Sequence, residues 1–166
     1  MSETRLYRWQ WTFSANDEVG VDEASALYSF VRAHLANGKV ERAETVKPPD
    51  KIELVVYYDQ CPSEALVAQH QARYGRTPLA ISLPHLREGA YLIADVYEYD
   101  RDGVMEGRVR SMLDDDQNPQ REWRYDRRND LYEVVEYEVD MNGELIVRSH
   151  APDGKLIHED RPPLSD

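Results

Sequence analysis

Two segments of this chain, forty positions apart, carry nearly the same wording: Tyr97-Glu98-Tyr99-Asp100-Arg101-Asp102-Gly103 and Tyr137-Glu138-Val139-Asp140-Met141-Asn142-Gly143. In each, aromatic or β-branched residues lead into Asp-Gly or Asn-Gly. Those dipeptides supply the positive φ angles that a two-residue type I′ hairpin turn requires. A chain written this way folds back on itself as antiparallel strands at both places. The wording speaks of architecture and names no reaction.

From Ala90 onward the helical period disappears. Ala90 to Tyr99 and Val104 to Met112 read as one hairpin, and Trp123 to Arg127 with Leu131 to Val139 as a second pairing. Asn142-Gly143 and Asp153-Gly154 then turn the chain into Glu144 to Ser149 and Lys155 to His158, so the second half is expected to be an antiparallel meander. The recurring Tyr-x-x-Asp-x-[Asp/Asn]-Gly pattern resembles the tyrosine-aspartate repeats of large secreted bacterial toxins. The likeness covers a few residues per turn, and two clear copies fall short of the three or more that a repeat array needs.

The first half reads differently. Arg5 to Phe13 alternates, with Tyr7, Trp9, Trp11 and Phe13 on one face of a strand. Ala24, Leu27, Tyr28, Val31 and Leu35 recur at helical spacing between an Asp22 cap and Asn37-Gly38, which predicts a helix. Strands follow at Val40 to Val46 and Ile52 to Tyr58, then a second helix over Ser63 to Tyr74 and a short strand at Leu79 to Leu83. That order is βαββαβ, the order of a ferredoxin-like split unit. The expectation is an α+β protein with a two-helix subdomain over residues 1–84, a hairpin meander over 85–161 packed with it as one domain, and a frayed tail at 162–166.

Charge divides the chain unevenly. Residues 1–83 hold 9 Lys/Arg against 11 Asp/Glu, a net of −2, whereas residues 84–166 hold 11 against 21, a net of −10. Such a surface repels phosphate backbones and anionic lipid, which argues against nucleic acid and membrane as partners, and it steers a basic protein inward. No apolar run reaches the roughly 20 residues needed to cross a bilayer. The single cysteine, Cys61, suits a reducing compartment, so a cytoplasmic protein is expected.

Chemistry-bearing constellations are sparse. Glu98, Asp100, Asp102, Gly103 and their counterparts Glu138, Asp140, Asn142, Gly143 match the front half of an EF-hand loop, but the twelfth position falls on Val109 and Ser149 instead of Glu. Cys61 precedes a helix start without a second cysteine or an adjacent histidine, and reads as a small buried residue at a cap. The five histidines show no i, i+4 pair. No metal, no cofactor and no catalytic residue is assigned, and an enzyme is the less favoured class.

The acidic run Asp114-Asp115-Asp116, followed by Trp123, Arg124 and Tyr125, is the best candidate for partner binding, because Trp, Tyr and Arg are the types enriched at interface hot spots. The expected function is an acidic module that sequesters or neutralises a basic protein, as an immunity or antitoxin protein does. Two alternatives stand beside it: a small-molecule binding or enzymatic domain with a pocket lined by Trp9, Trp11, Tyr57 and Tyr58, and a homo-oligomeric structural protein pairing through a strand edge.

Overall fold

In the computed structural model, residues 2–8 and 13–160 are described. Of these, 54% are strand and 11% helix, so the protein is mostly β and the α+β expectation is corrected. The chain divides into two units, one comprising residues up to Pro84 together with Tyr97–Met105, the other His85–Val96 and the chain from Glu106 on.

The first unit runs β1 (Ser2–Tyr7), α1 (Val21–Ala26), β2 (Phe30–Ala36), β3 (Lys39–Lys47), β4 (Lys51–Tyr58), α2 (Glu64–Tyr74), β5 (Leu79–Ser82). The ferredoxin-like βαββαβ start is therefore contradicted: β1, β2, β3 and β4 are consecutive antiparallel neighbours, and β5 lies parallel to β4 across α2. The predicted long helix is the source of the error. Val31 and Leu35 fit a helical period, yet Val31, Ala33 and Leu35 also alternate with Arg32 and His34, and the strand buries the first set. Asn37 and Gly38, read as a helix stop, both have positive φ, 52° and 79°, and close the β2–β3 hairpin as a type I′ turn.

Alternation gives this sheet two faces. One carries Tyr7, Val31, Ala33, Leu35 and Ala43, with Phe13 and Tyr58 packed against them. The other carries Phe30 and Val46, covered by Ala24 of α1, and continues through Arg32, His34, Arg42, Glu44 and Tyr57 to α2. The aromatic strand expected over Arg5 to Phe13 stops at Tyr7. Phe13, at φ 44°, returns edge-on to both Tyr7 and Tyr58. Trp9 and Trp11 lie outside the described residues, as does the tail after Asp160.

The second unit begins with β6 (Leu86–Glu88), paired antiparallel with β7 (Tyr91–Tyr99). Its main body is the antiparallel succession β8 (Met105–Leu113), β9 (Pro119–Asp126), β10 (Leu131–Val139), β11 (Leu145–His150) and β12 (Leu156–Asp160). Its buried apolar residues are few: Ile93, Ala94, Val135 and Ile146.

The hairpin loops of the second half share one geometry. In Asp100–Val104 the Gly103 amide donates to the Asp100 carbonyl and the Asp100 amide to the Val104 carbonyl, at 3.1 and 2.9 Å. The same pair of bonds recurs in 114–118, 126–130, 140–144 and 151–155. The fourth residue is left-handed each time: Gly103, Gln117, Asn129, Gly143 and Gly154, φ 64° to 86°. Asp102 and Asn142 are not left-handed. These are type I turns closed by a G1 bulge, which corrects the two-residue type I′ turns expected at those places. Among the described residues this turn geometry thus occurs five times, with Gln and Asn in place of Gly in two copies and Ala151 in place of Asp in another.

Among the described residues no helix is long and apolar enough to cross a membrane.

Candidate functional site

The acidic run forms the β8–β9 loop, and two of its three carboxylates are engaged within the protein. Asp114 is the first residue of the type I turn, where its side chain accepts from the amides of Asp116 and Asn118 at 3.0 and 2.8 Å and from the side chains of Asn118 and Gln120. These donors, the Asn118 amide first, hold its carboxyl below the usual range. Asp126 is held down in the same way by the amides of Asp130 and Arg128. Asp115 pairs with Arg87 at 2.8 Å. Asp100 and Asp140, which resembled half a calcium loop, are likewise turn acceptors for the amides two and four residues on.

Trp123, Arg124 and Tyr125 follow on β9, and alternation separates them. Trp123 and Tyr125 share a face, where Arg121 approaches the Trp123 ring and Arg108 lies 4.2 Å above the Tyr125 ring. Arg124 points to the opposite face, bridging Glu122 and Glu133 at 3.1 and 3.0 Å. On the Trp123 side a cleft of about 330 Å³ is lined by Arg121, Trp123, Val134, Glu136, His150 and the 151–154 turn. Its polar groups face one another: Arg121 contacts Glu136, and His150 Nε2 is 3.4 Å from the same carboxylate.

Of the four aromatic residues proposed to line a pocket, Tyr57 and Tyr58 are adjacent on β4 and point to opposite faces. Tyr57 donates to His70 Nδ1 at 3.1 Å, whereas Tyr58 packs edge-on against Phe13. The structure does not bring those two together. Cys61 is exposed, contrary to the buried reading, because the helix cap is made two residues later by Ser63, whose hydroxyl accepts from the Leu66 amide.

The densest polar constellation was not singled out from the sequence. Glu44, on β3, is only 3% exposed yet charged. Its Oε1 accepts from the Tyr74 hydroxyl of α2 at 2.5 Å and from His34 Nε2 of β2 at 2.9 Å, while its Oε2 accepts from Arg32 at 3.3 Å. Arg42 Nε lies 3.6 Å from Oε1. Burial pushes the carboxyl up, but the Tyr74, His34 and Arg32 contacts outweigh it and hold the group below the usual range. Burial, and after it the hydrogen bond to this carboxylate, raises the Tyr74 hydroxyl well above its ordinary value. The register explains the arrangement: Arg32 faces Glu44 and His34 faces Arg42 across β2 and β3, all on the side that α2 covers. Chemically this is a clamp that ties two strands to a helix. A hydroxyl–imidazole–carboxylate line runs through it, with Thr4 3.4 Å from His34 Nδ1.

His70, fully buried on α2, completes the layer. Its Nε2 donates to the Thr77 carbonyl at 2.7 Å and its Nδ1 accepts from Tyr57, so the neutral ring satisfies both partners. Burial lowers the pKa of both His70 and His34. A lowered folded value means that the neutral forms contribute stability above the ordinary imidazole range, near 6.5, which is lost as the pH falls through the folded values. We therefore expect the melting temperature to fall steadily below about pH 6.5, and His70→Gln, though less stable overall, to show a shallower fall between about pH 6.5 and 5. Parallel profiles for the two proteins would show that His70 does not carry the effect.

Compared with known proteins, the chain matches no family model, no curated protein and no solved structure.

Proposed function

We propose that the chain is an acidic protein-binding module that sequesters or neutralises a basic protein partner, in the manner of an immunity or antitoxin protein, in a reducing compartment such as the cytoplasm. The observation that carries this reading is how the second unit uses its cations. Arg87, Arg108, Arg110, Arg121, Arg124 and Arg148 each lie within ion-pair distance of a carboxylate of the same unit. The second unit holds 10 Lys/Arg against 18 Asp/Glu, so an excess of 8 negative charges remains after those guanidinium groups are paired. Among the described residues Asp116, Asp130 and Asp153 are exposed in the loops with no ion pair; Arg127 and Arg128 lie beside Asp130 and Lys155 beside Asp153, so the net negative charge of the loops is concentrated at 114–118 and 140–144. A field of that sign raises the encounter rate with a cationic protein and disfavours nucleic acid.

Affinity capture from the native host lysate, with the purified protein as bait and washes at low and high salt, tests the reading. One stoichiometric basic protein, retained at low salt and released at high salt, is the expected recovery. Recovery of no basic protein at low salt contradicts it.

A further inference from the structure

The five hairpin loops share one backbone geometry, so their differences lie in their side chains, and one of them departs from the rest. At the second loop position the others carry Arg101, Asp115, Arg127 and Pro152, residues at home in an exposed type I turn, whereas the β10–β11 loop carries Met141, which is fully exposed. Directly beneath it the cross-strand pair Val139 and Leu145 is 64% and 47% exposed. The pair continues an apolar row on one face of β10 and β11, formed by Val135, Tyr137 and Val147, from the core to the tip. A turn of this type requires none of the three, and the exposed pair has no cover among the described residues. Carboxylates flank the tip: Glu138, Asp140 and Glu144, with Arg148 the nearby guanidinium, held between Glu138 and Glu159.

We infer that the Val139–Met141–Leu145 tip is the docking surface for a basic partner segment in which apolar side chains alternate with Lys or Arg. This rests on the acidic-module reading above and adds its contact point. The apolar row supplies a patch to be desolvated, and a flexible, polarisable Met suits adaptable packing. The carboxylate rim selects cationic flanks and rejects acidic ones.

The probe is a short alternating Leu-Lys peptide, compared with Gly-Lys and Leu-Glu peptides of equal length. Binding is followed by the Met141 methyl signal and by titration, for the full chain and for the Val139→Thr, Met141→Gln, Leu145→Thr triple variant. The substituted side chains are exposed and Thr keeps the strand preference, so the variant should melt as the parent does. We expect the Leu-Lys peptide to shift the Met141 methyl, the Gly-Lys peptide to bind roughly tenfold more weakly, and the triple variant to lose roughly tenfold in Leu-Lys affinity. If the triple variant binds the Leu-Lys peptide as the parent does, with salt still weakening the complex, the tip is not the docking surface although the acidic module stands. If neither cationic peptide binds, both fall. A Met141 shift that depends on protein concentration, with a doubled mass in solution, would make the tip a contact between copies and overturn the proposal.

Discussion

Glu44→Gln should lower the unfolding free energy by about 3–5 kcal/mol, the cost of removing one member of a buried ion network and leaving the others uncompensated. Arg32, His34, Arg42 and Tyr74 all converge on this one carboxylate. The amide retains the shape but not the charge, so Arg42 loses its counter-ion and Arg32 keeps only Asp50. For a chain of this length the loss corresponds to a fall in melting temperature on the order of 10 °C. Tyr74→Phe is the graded control, because it removes one hydrogen bond to a charged acceptor and should cost about 1.5–3 kcal/mol. If Glu44→Gln costs no more than Tyr74→Phe, the carboxylate is not the centre of the network.

Gly107→Ala should destabilise the second unit by about 1–3 kcal/mol through overpacking. A Cβ at this position would stand 2.5 Å from the Tyr125 carbonyl oxygen on the neighbouring strand. The obstacle is backbone, so β8 and β9 must separate to admit the methyl group. Gly20→Ala is the control without a clash: nothing lies within 4 Å of its Cβ, its φ is −75°, and its effect should stay within about 1 kcal/mol, the cost of Ala at the N-cap of α1. Equal denaturation midpoints for the two variants would contradict the close approach.

The hairpins of the second half were legible because turn chemistry is local. Asp-Gly and Asn-Gly advertise three of the turns and Arg128-Asn129-Asp130 a fourth, so only the copy with Gln117 in the left-handed position is hidden. The first half was misread where two periods coincide. Val31 and Leu35 belong to a helical row and to a strand row alike, and Asn37-Gly38 has the wording of a helix stop as well as of a hairpin turn. The second helix escaped this ambiguity because Ser63 and Gly75 bracket it with distinct cap chemistry.

The candidate sites divide in the same way. Asp114 was visible as part of a charge run, but its hydrogen bonds make it the organiser of its own turn. Glu44 was not visible, because its partners come from β2, β3 and α2, and only the strand pairing brings Arg32 and His34 opposite Glu44 and Arg42. The trace it leaves in the sequence is a pair of adjoining segments, Arg32-Ala33-His34 and Arg42-Ala43-Glu44, that alternate charge with alanine.

In the proposed reading, the negative field of the second unit recruits a basic protein. The most direct measurement is the association rate of the captured basic partner with the full chain as ionic strength rises. The rate should fall steeply with salt, and should be slower with a flatter salt dependence when Asp116, Asp130 and Asp153 are changed to Asn. An association rate that is unaffected by both salt and the three substitutions would contradict it.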